Sequence, residues 1–70
     1  MTEYLIIYER GDDGDWGAYS PDVPGCVAAG ESQAEVEQLM RQAIPDHLAL
    51  MREAGEPVPA PHHVAGVIAA

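Results

Sequence analysis

The sequence predicts one α+β domain with the element order β-β-β-α-β. Three observations predict it. The N-terminal half is rich in apolar β-formers and is cut by glycine and proline turns. A capped, amphipathic stretch follows it. A short branched run closes the chain behind a proline-stiffened linker. The 70 residues suffice for a single domain spanning residues 1–70, and a chain of that size buries only about 60% of its unfolded surface.

Residues 3–10 (EYLIIYER) are the first expected strand. Tyr4, Ile6 and Tyr8 alternate with Leu5 and Ile7, so both faces are apolar, as in a central strand. Gly11-Asp12-Asp13-Gly14-Asp15 is a hairpin connection. Residues 16–20 (WGAYS) form the second strand. Pro21-Asp22-Val23-Pro24-Gly25 is a rigid loop, because neither proline can donate to a ladder. Residues 26–30 (CVAAG) form the third strand, with small side chains.

The helix is expected over about residues 32–54. Ser32 and Glu35 make a capping box, the hydroxyl accepting from the Glu35 amide while Glu35 reaches back. Val36, Leu39, Met40, Ala43, Ile44, Leu48 and Met51 follow helical spacing. Glu35 and Glu37 suit the positive end of the dipole, Arg52 the negative end, and Gly55 terminates the helix. Pro45 removes one hydrogen bond at a cost near 3 kcal/mol. A kink there is expected, since the apolar stripe continues in phase beyond it. Residues 56–61 (EPVPAP) are the linker, and residues 64–69 (VAGVIA) the fourth strand. The right-handed crossover rule then places that strand parallel to the first and beside it. The sheet order becomes 3-2-1-4, with the helix on one face. The other face has no cover, which predicts a homodimer or higher oligomer.

Charge narrows the function classes. Three arginines, no lysine and twelve acidic residues give a net charge of −9. Phosphate backbones and anionic membranes repel such a chain. Opposite fields favour a basic protein partner. One cysteine, Cys26, allows no intrachain disulfide. No basic leader precedes the first apolar run, and no segment approaches the roughly 20 apolar residues of a membrane span. A cytoplasmic location is expected.

Catalytic and cofactor motifs are sparse. Glu9, Asp12, Asp13, Asp15 and Asp22 cluster near the hairpin, but the spacing fails the EF-hand template, and a solvated turn or an electrostatic patch is the reading. Cys26 lacks a cationic neighbour to activate it and reads as a buried structural thiol. His62 and His63 are adjacent, and such pairs diverge, so no metal site is assigned to them or to His47. The glycines form no phosphate-binding loop, and no cofactor is expected.

The run from Tyr19 to Ser32, YSPDVPGCVAAGES, resembles the strand-loop-strand region of HicB-like antitoxins, with its acidic PDLPGC loop and GDT or GES helix entry. Glu53 to Pro61 (EAGEPVPAP) is similar to the family's proline-rich helix exit. The resemblance spans roughly residues 3–69. It implies a partial ribonuclease-H-like fold without nuclease activity. It also implies a partner, a small basic HicA-like toxin that cleaves mRNA and whose site the antitoxin covers. The residues expected to meet that partner are Glu9, Asp12, Asp13, Asp15, Trp16, Asp22 and Pro24. Family members often carry a C-terminal DNA-binding segment. This chain ends at Ala70, so a toxin-holding part without a DNA-holding part is the expectation. Two alternatives stand beside it. One is a metal-dependent nuclease using Glu9, Asp12, Asp15 and Asp22, and the other an oligomeric scaffold with no toxin.

Overall fold

The computed structural model describes residues 2–70. Its elements are β1 (Ile7–Arg10), β2 (Trp16–Tyr19), β3 (Val27–Gly30) and α1 (Gln33–Glu53). The strands form an antiparallel sheet in the order β1-β2-β3, and the helix packs on one face of it.

Register decides which side chains meet the helix. Tyr8 lies opposite Ala18, and Ala18 opposite Ala28. Successive residues point to opposite faces, so Arg10, Trp16 and Gly30 share that row's face, while Ile7, Tyr19 and Val27 occupy the other. The helix brings Val36, Met40 and Leu48 onto the first face. With Ala18, Val23 and Cys26 they form the buried core, flanked by half-buried Tyr4, Ile6 and Trp16. The alanines of β2 and β3 let the helix approach closely, and burying a side chain such as Val36 or Met40 is worth about 1.5–3 kcal/mol.

Both helix ends are closed locally. Ser32 sits extended at the N-cap, with φ −144° and ψ 158°, and its Oγ accepts from the Glu35 amide at 3.1 Å. The reciprocal arm is displaced by one residue from the expected box: Glu35 accepts from the Glu31 amide at 3.0 Å. Gly30 makes room for it, since a Cβ there would lie 2.9 Å from the Glu35 carboxyl carbon. At the far end Gly55 is left-handed, with φ +75°. The Glu56 amide donates to Met51 O at 2.9 Å, and the Gly55 amide to Arg52 O at 3.1 Å. That pair of bonds is the Schellman pattern. The helix runs through Pro45 as one element, so it does not split there. Pro45 is exposed, and its ring lies away from the core.

The expected fourth strand does not form among the described residues. The order is therefore β1-β2-β3 rather than 3-2-1-4, β1 is an edge rather than a central strand, and the ribonuclease-H-like likeness has no support in this sheet. The chemistry of the segment explains why. Pro57, Pro59 and Pro61, two apart in the linker before it, strip that approach of donors on one edge. Beyond them Val64, Val67 and Ile68 are almost wholly exposed, so no burial offsets the entropy of ordering a strand. The arm is nonetheless anchored at its base, where the Tyr4 hydroxyl donates to Pro59 O at 2.7 Å. Along the open side of β1, Tyr4, Ile6, Tyr8, Met40, Ile44 and Leu48 line a groove of about 630 Å³.

Core and cap differ in their expected contribution. Met40→Ala is expected to cost about 2–5 kcal/mol through lost contacts and a cavity. Ser32→Ala is expected to cost about 1 kcal/mol through one lost capping bond. Urea unfolding of both variants checks this; equal midpoint shifts would contradict the assignment of Met40 to the centre of the core.

Candidate functional site

The loop from β2 to β3 is built from two successive turns. Val23 N donates to Ser20 O at 3.2 Å, and Cys26 N to Val23 O at 3.3 Å. Pro21 and Pro24 each take the second turn position, where a fixed φ is pre-organised. Gly25 takes the left-handed third position of the second turn, with φ +81°. This geometry turns Val23 and Cys26 inward. It also carries Asp22 inward, to 2% exposure.

A buried carboxylate needs partners, and the C-terminal arm supplies them. The His62 amide donates to Asp22 Oδ1 at 3.1 Å. His62 Nδ1 lies 2.8 Å and His63 Nδ1 2.6 Å from the same oxygen. His62 Nδ1 also lies 3.1 Å from Ala60 O. The two rings stand 4.4 Å apart, tilted by 45°. The adjacent histidines therefore converge, contrary to the divergence expected of neighbours in sequence. Bending of the arm, which brings the His62 amide onto Asp22, turns both rings the same way. Burial raises the Asp22 carboxyl. The His63 hydrogen bond, the His62 amide bond and the charges of His63 and His62 outweigh it and hold the group below its ordinary 3.8. Asp22 Oδ2 and Ser20 Oγ are buried with no hydrogen-bond partner.

The other expected contact residues separate into two groups. Glu9, Asp12, Asp13 and Asp15 are exposed around the β1–β2 turn. That turn is closed by Gly14 N donating to Gly11 O at 3.0 Å and by Gly11 N donating to Asp15 O at 2.8 Å. Asp13 Oδ1 accepts from the Asp15 amide at 3.0 Å, so this carboxylate also shapes the turn. Pro24 is exposed as well. Trp16 is half-buried and packs against the core, and Asp22 is inside. The four carboxylates of the nuclease alternative thus do not converge, since Asp22 is buried in one loop and Glu9, Asp12 and Asp15 surround another.

The contact residues expected from the sequence include none of the apolar members of the helix-free sheet face. Ile7, Tyr19 and Val27 lie side by side on it, and Val27 is 69% exposed. Glu9 projects from the same face by alternation, next to the acidic turn. The signal was present in the period-two pattern of the strands, which predicts an uncovered apolar face but not its membership until register is known.

Two comparisons bear on this arrangement. A family model described as HicB-like antitoxin of bacterial toxin-antitoxin system matches residues 4–70. Among curated proteins none matches significantly.

Burial pushes the Cys26 thiol above its usual 9.0. A raised folded value stabilises the protein fully below the unfolded value, and that contribution is lost as the pH rises through the folded one. Stability is therefore expected to decline above about pH 9, and Cys26→Ala to flatten that decline. Urea midpoints of both proteins across the alkaline range check it; identical slopes would contradict it. Separately, Asp22→Asn is expected to release the arm. Hydrogen exchange at the His62 amide would then approach the rate of an unprotected amide.

Proposed function

The chain belongs to the HicB-like antitoxins of bacterial toxin-antitoxin systems, and from that premise we propose that it works in the cytoplasm by binding and neutralising a small, basic, mRNA-cleaving toxin of the HicA type. The observation that carries the reading is the acidic, apolar face just described. Glu9, Asp12, Asp13 and Asp15 surround one end of a sheet surface made by Ile7, Tyr19 and Val27. The carboxylates attract a basic partner at a distance, which raises the association rate. The apolar row supplies area that water leaves on contact, which slows dissociation. Pro24 is exposed in the β2–β3 loop, open to the same partner. Trp16 and Asp22 act from behind this surface, Trp16 by packing under β2 and Asp22 by fixing the β2–β3 loop.

The activity proposed is occlusion, without catalysis and without direct contact to nucleic acid, in keeping with the net charge of −9. The same apolar face suits self-association into a homodimer or higher oligomer when no toxin is bound, since uncovered apolar area on a small domain favours a second copy.

Inhibition of mRNA cleavage by the toxin tests the reading. The wild-type chain is expected to suppress cleavage near one equivalent. Replacing Asp12, Asp13 and Asp15 together by lysine is expected to slow association about 10-fold or more at low salt, with the difference shrinking as ionic strength rises. Val27→Glu is expected to speed dissociation at every salt concentration. A wild-type chain that neither binds the toxin nor restores intact mRNA would sink the proposal and leave an oligomeric scaffold.

A further inference from the structure

We propose that Asp22, His62 and His63 form a binding site for a divalent transition-metal ion of the zinc type, which staples the C-terminal arm to the β2–β3 loop. The site shares Asp22 with the loop behind the proposed partner surface, but the inference does not depend on that reading.

The donor set is the first argument. Asp22, His62 and His63 each offer one donor atom, and these atoms all lie within 4.8 Å of one another. Two imidazole nitrogens and one carboxylate oxygen are the ligands that zinc and its neighbours take, whereas calcium and magnesium want oxygen. Around a tetrahedral ion with ligand distances of about 2.0–2.1 Å, donors stand about 3.3 Å apart. The present N···O separations are 2.8 and 2.6 Å. Each nitrogen therefore needs to withdraw by little more than half an ångström on that geometry. The side chains of His62 and His63 are 70% and 45% exposed, so ring rotation supplies the movement, and solvent supplies a fourth ligand. A neutral imidazole can carry its proton on Nε2, which frees Nδ1 for the metal.

The buried carboxylate is the second argument, and it is independent of the histidine geometry. Asp22 is 2% exposed, yet its Oδ2 has no hydrogen-bond partner, and neither has the neighbouring buried Ser20 Oγ. The chain around it carries a net charge of −9. Leaving a carboxylate part-satisfied inside a protein is costly. A bound dication places two positive charges against it and neutralises it outright.

Both halves of the site are held in place before any ion arrives. The two proline turns fix Asp22 in the loop. On the other side, Tyr4 anchors the arm at Pro59, and Pro61 stiffens the chain just before His62. Little order remains to be imposed on binding, which favours affinity. The ion would join groups 41 residues apart in sequence. Small domains gain most from such cross-links.

Zinc titration of the chelator-treated full chain, followed by calorimetry and by thermal unfolding, tests the site. One equivalent is expected to bind and to raise the melting midpoint, because the ion binds the folded state selectively. His62→Ala and His63→Ala are each expected to lower affinity about 10- to 100-fold, the scale on which even the outer partners of metal ligands matter. Circular dichroism confirms the fold of these variants, whose altered side chains are largely exposed. His47→Ala is expected to bind zinc as the wild type does. Cobalt substitution is expected to give the visible absorption of a tetrahedral centre, lost in the His62→Ala/His63→Ala double variant. Zinc affinity unchanged in that double variant, or loss of binding in His47→Ala alone, overturns the proposal.

Discussion

A single helix covers a single face of a three-stranded sheet, and most of the molecule follows from that constraint. The buried residues Ala18, Val23, Cys26, Val36, Met40 and Leu48 all lie in one layer between helix and sheet. Close approach across this layer requires small side chains on the strands, and β2 and β3 supply Ala18 and Ala28 where the helix lands. With so few large groups buried, the net stability of a domain this size is a small difference between large terms. The contacts at the margins of the core therefore matter more here than they would in a larger domain. The cap at Ser32, the Schellman closure at Gly55, the Tyr4–Pro59 bond and the Asp22–histidine cluster each tie a segment at the edge of the core or beyond it.

The same constraint leaves Ile7, Tyr19 and Val27 facing water. In a large domain a second layer would cover them. Among the described residues no further element is available, because Val64, Val67 and Ile68 of the last segment are almost wholly exposed. An uncovered apolar row beside a cluster of exposed carboxylates is the ordinary physical form of a protein interface, with area in the middle and charge at the rim. The chain's family is described as antitoxins of bacterial toxin-antitoxin systems, and the proposed contact role rests on this surface.

Much of this was legible in the residues. The three strands, the two turns and the capped helix follow from alternation, from proline and glycine placement, and from helical spacing, all of which act over a few neighbours. What was not legible depended on partners far along the chain. Residues 64–69 have the composition of a strand, but a strand exists only where an edge accepts it and burial repays its order. Asp22 belongs by sequence to an acidic run, yet the turn at Ser20–Val23 takes it inside, where it becomes a structural group. Trp16 was likewise expected to meet a partner, and register places it on the helix side, packed against the core. His62 and His63 were expected to diverge because local geometry favours it, and a carboxylate 40 residues away reverses that preference. Even the capping box shifted by one residue, since the missing Cβ at Gly30 opens the space that Glu35 fills.

The acidic residues thus divide into two physical classes, and the division determines what each can do. Asp12, Asp13 and Asp15 stand in high-dielectric surroundings, where salt screens their field within about 10 Å. Apart from the turn bond that Asp13 accepts, they contribute little to folding, and under the proposed function their effect is on how quickly a charged partner is found. Asp22 stands where screening is weak and where its charge must be answered by specific groups. The groups nearest its charge are the His62 amide and the two imidazoles. Its effect is on where the loop and the arm sit. Asp22 thus counts in the net charge of −9 like any surface carboxylate, while its loss would alter how the loop and the arm are seated.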